Sequence, residues 1–213
     1  MHRYTAVLSV LLMSGFLFVA FTAQEDVNLL IQDSRTRSES ITDFIATFTY
    51  EVAQPTTRPS TQTGVLRYKK GMYAVSFPDQ EIFCDQQNIW TYLKAENQVN
   101  IASYDPRLGV SVESIFYLFQ PKYNPRFDGE TEVHGIPCYK VYVSLNDPGL
   151  EYVHAYIWIN KNTRLLEKVS LINRRQLVTS YEFTNLQPNQ GLSDGAFRFD
   201  LSRYKGISVF DER

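Results

Sequence analysis

Short runs of alternating apolar and β-branched or aromatic residues, separated by a few turn residues, fill most of this chain of 213 residues. The run 44–50 reads Phe-Ile-Ala-Thr-Phe-Thr-Tyr, which favours a strand with two distinct faces. Runs at such close spacing predict an antiparallel meander. We predict the other strands at 64–69, 73–77, 81–84, 89–93, 98–104, 127–133, 139–145, 152–159, 165–172, 176–183, 197–199 and 207–210. Residues 55–63, rich in Pro, Thr and Ser, are predicted to form a loop.

Two segments have helical rather than strand periodicity. Residues 26–38 place apolar side chains among polar ones, with Asp26 as a candidate cap, and this predicts an amphipathic helix. Residues 111–119 have apolar side chains at helical spacing with Pro121 just beyond, which predicts a short apolar helix. The fold class is therefore mainly β (α+β). A long antiparallel sheet of this kind tends to curl into a sandwich or into an open or closed barrel.

The first residues have the order of a secretory signal peptide. Arg3 precedes an uncharged apolar run over 5–21, and small residues follow up to Ala23. This run is somewhat shorter than the roughly 20 apolar residues that a transmembrane helix needs. We expect a signal peptide at 1–23 that is cleaved near Ala23, and one domain at 24–213. No Cys directly follows the apolar run, so we expect a soluble product without a bacterial lipid anchor.

Charge and motif content argue against nucleic-acid binding and against catalysis. The formal net charge is −2 at pH 7, whereas proteins that bind nucleic acid need an excess of Lys and Arg to displace counterions. Neither His134 nor His154 stands in a metal-binding spacing, and no nucleophile elbow or phosphate-binding glycine loop is present. We expect no enzyme activity, no metal and no cofactor.

The two cysteines, Cys84 and Cys138, are far apart in sequence, and each lies in an apolar strand-like run. A free Cys in such a run behaves as a small buried hydrophobic side chain. In an oxidising compartment the two could instead form a disulfide. The sequence favours free thiols and leaves the disulfide open, because it does not give the distance between the two Cα atoms.

Aromatic side chains are abundant, with 14 Tyr, 14 Phe and 2 Trp. Any one of them could simply fill a core, but together they suit a curled sheet that shelters an acyl chain. Each buried methylene contributes roughly 0.8 kcal/mol, so a lipid anchor leaves a membrane only for a carrier that offers comparable burial. The carrier must also release its cargo, and we therefore predict that the helix at 111–119 is a movable lid.

The order of these segments resembles the LolA family of periplasmic lipoprotein carriers. Residues 64–70, Gly-Val-Leu-Arg-Tyr-Lys-Lys, are similar to a G-x-L-x-x-K-R-P segment of that family. Residues 82–92, Ile-Phe-Cys-Asp-Gln-Gln-Asn-Ile-Trp-Thr-Tyr, are similar to its I-x-x-D-G-x-x-x-W-x-Y hairpin. Residues 197–200 and 206–211 resemble its F-x-F-x-x-P-x-G-V-x-V-x-D ending. The resemblance extends from the first predicted helix to the end of the chain.

The resemblance implies a curved, incomplete antiparallel β-barrel covered by an N-terminal helix and a short helical lid. It also implies a periplasmic chaperone that carries acylated lipoproteins from an inner-membrane releasing complex to an outer-membrane acceptor, with both partners bound transiently. We expect a monomer. In the family a basic residue, usually Arg, hydrogen-bonds the lid, and Lys70 stands at its position. Lys offers a point charge instead of a planar fork, so Lys70 is either a weaker latch or a solvated turn residue.

We predict that the acyl chain contacts one face of the sheet and the lid. The predicted lipid-binding residues are Leu66, Tyr68, Tyr73, Val75, Phe77, Trp90, Tyr92, Ile115, Phe116 and Phe119. Alternation predicts that one face of each strand points inward but does not say which. Two alternatives use the same fold: a periplasmic binding module that senses lipids or lipoproteins, and a carrier of another amphiphilic lipid. A secreted hydrolase is disfavoured by the missing motifs.

Overall fold

The computed structural model describes residues 23–54, 57–105, 123–145 and 151–213. Within these ranges the chain forms one α-helix, α1 (Ala23–Glu39), and twelve strands. The strands are β1 (Phe44–Gln54), β2 (Thr57–Lys69), β3 (Met72–Ser76), β4 (Gln80–Cys84), β5 (Asn88–Leu93), β6 (Gln98–Ser103), β7 (Asn124–Val133), β8 (Ile136–Ser144), β9 (Tyr152–Asn160), β10 (Leu166–Asn173), β11 (Val178–Pro188) and β12 (Ser208–Asp211). The mainly β class is confirmed. The predicted signal peptide and the predicted lid at 111–119, with Ile115, Phe116 and Phe119, lie outside the described residues.

All strands belong to one curved sheet in the order β12-β6-β5-β4-β3-β2-β1-β11-β10-β9-β8-β7. Neighbouring strands are antiparallel except β12, which runs parallel to β6. β1 is central because it pairs with β2 on one side and with β11 on the other. The described strands therefore form two meanders joined at β1. Their outermost strands, β12 and β7, are not paired with each other, so the sheet is open and is not a closed barrel.

The predicted secondary structure of two segments differs from the structure. Residues 57–63 are not a loop, because β2 begins at Thr57 and pairs with β1. The Thr residues of this segment suit a strand, and Pro59 lies where the register between β1 and β2 shifts, a place where a missing N–H is tolerated. Residues 197–199 are not a strand, since a 3-10 turn over Asp194–Phe197 precedes an irregular segment.

The face of the sheet that carries Phe48, Leu66 and Val75 is buried, and we call it the inner face. α1 lies against β7 and inserts Val27 into the apolar cluster on this face. Burial along β1 alternates from Phe44 onward, which is the period of a strand with one covered face. The sheet and helix therefore share one main core.

The outer face carries a second apolar cluster, formed on β5 and β6 by Trp90, Tyr92, Val99 and Ile101. Phe199 covers this cluster from the segment that leads to β12. The same segment is tied to β2, because the Lys69 ammonium donates to the carbonyl oxygen of Leu192 at 2.6 Å. Cys84 and Cys138 are buried free thiols, as the sequence favours. In the described part of the chain no helix is long and apolar enough to span a bilayer.

Candidate functional site

The inner face holds two apolar cavities at different positions along β1. We name them by the β1 residue that lines each: the Phe44 cavity, of about 270 Å³, and the Tyr50 cavity, of about 380 Å³. Phe48 lies between these two residues on the same face of the strand. Its ring is 5.6 Å from that of Phe183, which lines the Phe44 cavity, and 5.8 Å from that of Tyr181, which lines the Tyr50 cavity. Aromatic rings thus form the boundary between the two cavities.

The Phe44 cavity lies between the carboxyl end of α1 and strands β1, β2, β10 and β11. The rings of Phe44 and Tyr68 stack in its wall with centroids 5.2 Å apart. The other described lining residues are Ser38, Glu39, Ile41, Lys70, Leu165, Leu166, Phe183 and Leu186. An apolar wall with polar groups at its margin suits an amphiphilic ligand.

Lys70 lines the Phe44 cavity from the turn between β2 and β3, where it has a positive φ of 47°. It is exposed, and its backbone carbonyl accepts a hydrogen bond from the side chain of Gln86. The structure therefore places the predicted latch at the edge of a cavity. Its role as a latch stays a prediction, because the lid lies outside the described residues.

The Tyr50 cavity is formed by β1, β2, β3, β4 and β11 together with the start of β9. Its described lining residues are Phe48, Tyr50, Gln62, Tyr73, Val75, Phe77, Gln80, Ile82, Glu151, Tyr152 and Tyr181. Phe77 and Phe48 approach each other across it, with ring centroids 6.3 Å apart. This cavity therefore combines a wall of aromatic and aliphatic side chains with several hydroxyl and amide groups.

Five of the predicted lipid-binding residues share the inner face. The register pairs Leu66 with Val75 and Tyr68 with Tyr73. Tyr73, Val75 and Phe77 line the Tyr50 cavity, and Tyr68 lines the Phe44 cavity. Leu66 is fully buried in the main core. These five residues lie on one face of the sheet, and lipid contact by them stays a prediction.

Trp90 and Tyr92 do not lie with the other five, and the expectation of a shared face is wrong for them. Ile82 is on the inner face and pairs with Thr91, so the two neighbours of Thr91 point outward. Tyr92 packs against Phe199 with ring centroids 5.3 Å apart. These two aromatic side chains therefore stabilise the outer cluster and line neither cavity.

The prediction from sequence missed three tyrosines of the Tyr50 cavity: Tyr50, Tyr152 and Tyr181, which we call the tyrosine cluster. Tyr50 and Tyr181 are paired across β1 and β11, with ring centroids 5.5 Å apart. Tyr50 continues the alternation of Phe44 and Phe48, which was a usable signal, but the pairing of β1 with β11 has no local signal. Burial raises the pKa of all three phenols, although a hydrogen bond with Thr179 opposes this at Tyr152. They are therefore protonated donors at neutral pH.

A third cavity, of about 450 Å³, lies between α1 and strands β7 and β8. Val27, Leu29 and Leu30 line it from the helix, and Phe127 and Tyr139 from the sheet. Leu29 is 54% exposed and Phe127 is 41% exposed, so this cavity is open to solvent.

The described residues include no group of three or more His, Cys, Asp or Glu side chains that could hold a metal ion. His134 contacts Glu182, with Nε2 and Oε2 2.8 Å apart, and His154 Nδ1 lies 2.7 Å from the hydroxyl of Tyr142. None of these four residues is among the described residues that line the Phe44 or the Tyr50 cavity. The inner-face cavities are therefore the candidate site, and what they offer is apolar surface with polar margins.

Several solved structures have a similar fold at low sequence identity. A conserved protein of uncharacterised function from Thermus thermophilus is 12% identical, with a TM-score of 0.56, 88% of this chain covered and 99% of that chain. The lipoprotein LppX from Mycobacterium tuberculosis is 11% identical, with a TM-score of 0.50, 79% of this chain covered and 98% of that chain. LprF from Mycobacterium bovis is 12% identical, with a TM-score of 0.50, and the match covers 79% of this chain and 95% of that chain. These likenesses concern the fold alone.

The chain matches no curated protein sequence. The family model described as "Outer membrane lipoprotein carrier protein LolA" matches residues 39–200, which is most of the chain. The matched region begins at the last residue of α1 and includes β1 to β11, so it contains nearly all the described residues that line the Phe44 and Tyr50 cavities. This chain therefore belongs to the LolA family.

Proposed function

We propose that this protein is a periplasmic chaperone that binds the acyl chains of lipoproteins and carries them from the inner to the outer membrane. The observation that supports the proposal best is the pair of apolar cavities on the inner face, with the aromatic rings of Phe48, Tyr181 and Phe183 between them. Each methylene that moves from water into such a wall gains roughly 0.8 kcal/mol. Membership of the LolA family supports the same cargo.

Delivery requires release, and we propose that the segment 111–119 covers the cavities as a lid. Ile115, Phe116 and Phe119 would face the acyl chain in this proposal, and Lys70 at the edge of the Phe44 cavity would hold the lid in its closed position. An inner-membrane releasing complex would load the carrier and an outer-membrane acceptor would unload it. We propose that a signal peptide directs the protein to the periplasm and is then cleaved near Ala23. We also propose that the protein acts as a monomer and performs no catalysis.

A pair of matched aspartate variants tests whether the inner face binds the cargo. Ile82 is half-buried in the wall of the Tyr50 cavity, whereas Val65 is 39% exposed on the outer face of β2. We expect Ile82→Asp to weaken binding of a fluorescent monoacylglycerol analogue by more than about tenfold, because an ionised carboxylate must lose water when the chain binds. Val65→Asp should bind as the wild type does. Circular dichroism and urea unfolding establish that both variants are folded.

Equal binding by the two variants, or no binding by the wild type, would refute the assignment of the inner face. The lid is tested separately by Phe116→Asp, which should abolish transfer in a lipoprotein-release assay. Mass spectrometry of protein purified from its own periplasm identifies the cargo. Co-purified acylated peptides would support a lipoprotein carrier. Recovery of other lipids without any acylated peptide would contradict the proposed cargo.

A further inference from the structure

We propose that the tyrosine cluster binds the polar head of the cargo and that this head is uncharged, with hydroxyl, ester or amide groups. This inference rests on the proposed function, because it requires an acyl chain in the inner-face cavities. It adds to that function the chemical class of the head and the end of the site at which the head lies.

The three phenols of the tyrosine cluster come together on one wall of the Tyr50 cavity. Tyr50 and Tyr181 are partners across β1 and β11, and Tyr152 begins the nearby strand β9. Tyr181 is 6% exposed and its ring stacks on Phe48, so the cluster continues directly into the apolar wall. An acyl chain beside Phe48 would place its polar end within reach of these hydroxyls.

The remaining polar groups among the described lining residues of this cavity are the phenol of Tyr73, two amides and one carboxylate. Gln62 and Gln80 line it from β2 and β4, and Glu151 lies next to Tyr152. The amide of Asn173 donates to the Glu151 carboxylate at 3.5 Å. The described lining residues include no Lys, Arg or His.

This combination discriminates by charge. Protonated phenols donate hydrogen bonds, and carboxamides both donate and accept them, so hydroxyl, ester and amide groups of a ligand find partners. A phosphate or carboxylate would meet the exposed carboxylate of Glu151, and the described lining residues offer no cation to offset the repulsion. Burying an unpaired charge is costly. The Phe44 cavity differs, because Lys70 lies at its edge. The neutral head is therefore assigned to the Tyr50 cavity.

Two kinds of amphiphile carry a head of this chemistry. A lipoprotein anchor presents glycerol esters and peptide amides, and a glycolipid presents sugar hydroxyls. Both are uncharged hydrogen-bonding heads on long alkyl chains, so the test includes one probe of each kind.

The test compares probes of equal chain length on the full-length protein. The probes are monolauroylglycerol, dodecyl glucoside, laurate and dodecyl phosphate, each measured by displacement of a fluorescent monoacylglycerol analogue. The variant is Tyr50→Phe combined with Tyr181→Phe, which removes two hydroxyls and keeps both rings. The control is Tyr142→Phe, because Tyr142 lies on the outer face and its hydroxyl contacts His154 at 2.7 Å.

We expect the wild type to bind the two neutral probes more tightly than the two anionic ones. The double variant should lose about three- to tenfold in affinity for the neutral probes, as expected for one or two hydrogen bonds, and should bind the anionic probes unchanged. Stronger binding of monolauroylglycerol, which carries a glycerol ester, than of dodecyl glucoside identifies a lipoprotein anchor as the natural source, and the reverse order identifies a glycolipid.

Three results would overturn the inference. Tighter binding of laurate or dodecyl phosphate would show that the site prefers an anion. An equal loss of affinity of the double variant for all four probes would show that the hydroxyls do not distinguish one head group from another. In both cases the carrier proposal stands, because an alkyl chain still binds. If the wild type binds no probe, the proposed function fails together with this inference.

Discussion

The ring of Phe199 lies against the ring of Tyr92, with centroids 5.3 Å apart, on the face of the sheet opposite the cavities. Phe199 also stacks on Tyr204 at 4.6 Å and is only 7% exposed. We expect Phe199→Ala to lower the free energy of unfolding by about 3–5 kcal/mol, as measured by urea denaturation, because it leaves a void in the outer cluster. Binding of a fatty-acid analogue per folded molecule should not change.

Phe210 is the matched control for Phe199. It is 53% exposed on β12, so Phe210→Ala should change the free energy of unfolding by less than about 0.5 kcal/mol. A similar loss for both variants would contradict the role of Phe199 as the buried anchor of the carboxyl-terminal segment.

Gly64 should not tolerate a side chain. It lies opposite Phe48 in β2, and a Cβ there would overlap the backbone carbonyl oxygen of Ser76. We expect Gly64→Ala to lower the free energy of unfolding by about 1–3 kcal/mol, the usual cost of overpacking. At Gly195 the nearest atom to an added Cβ is Ser193 Oγ at 3.9 Å, so Gly195→Ala should stay within about 0.5 kcal/mol of the wild type. Equal denaturant midpoints for the two variants would be inconsistent with this crowding.

Glu167 should destabilise the protein at neutral pH. Burial raises the pKa of its carboxyl, although Asn160 Nδ2 donates to it at 2.7 Å and opposes the shift. Because the folded pKa lies above the unfolded one, ionisation of Glu167 favours the unfolded chain, and the destabilisation disappears as the pH falls through these two values. We therefore expect Glu167→Gln to have a higher melting temperature than the wild type at pH 7. This difference should disappear at about pH 4.

The control for Glu167 is Glu132→Gln, since Glu132 is exposed on β7. Its melting temperature should follow that of the wild type at both pH values. A melting temperature for Glu167→Gln below that of the wild type at pH 7 would mean that the hydrogen bond from Asn160 outweighs the cost of burial.

Cys138 should be unreactive in the folded protein. Burial raises the pKa of its thiol to about 11, and the thiol donates weakly to the carbonyl oxygen of Ile136 at 3.3 Å. At about pH 8 only on the order of a thousandth of it is thiolate, which is the form that reacts with iodoacetamide. Mass spectrometry should find no alkylation of the native protein and two alkylated thiols after unfolding in urea. A product that needs a reductant before it can be alkylated would instead indicate a disulfide.

The sequence predicts the strands and the family well, because the signals for both are local. Alternation over 44–50 marks β1, and the turn residues between the later runs separate β3 to β6. The segment 57–63 was missed because Pro59 suggests a loop, whereas the shifted register opposite Val52 and Gln54 accommodates it in a strand. Whether this segment is a strand depends on its pairing with β1, and a single segment of sequence carries no signal for that pairing.

The sequence could not predict which aromatic side chains line the cavities. Strand β5 is apolar on both faces, since Ile89 packs on the main core while Trp90 lies in the outer cluster. The outer cluster is covered by Phe199, which comes from the far end of the chain. The tyrosine cluster has the same origin, because Tyr50 and Tyr181 meet only through the pairing of β1 with β11. Contacts made by distant segments therefore determine the candidate site.

The central position of β1 also has a consequence for how the protein folds. The hairpins within each meander join residues close in sequence, but β1 meets β11 only after nearly the whole chain is available. Closing so long a loop has an entropic cost, and a high contact order slows folding to milliseconds or longer. Until then the β1 and β11 edges are exposed to intermolecular pairing and aggregation, and a newly synthesised chain would benefit from a chaperone that keeps it from aggregating.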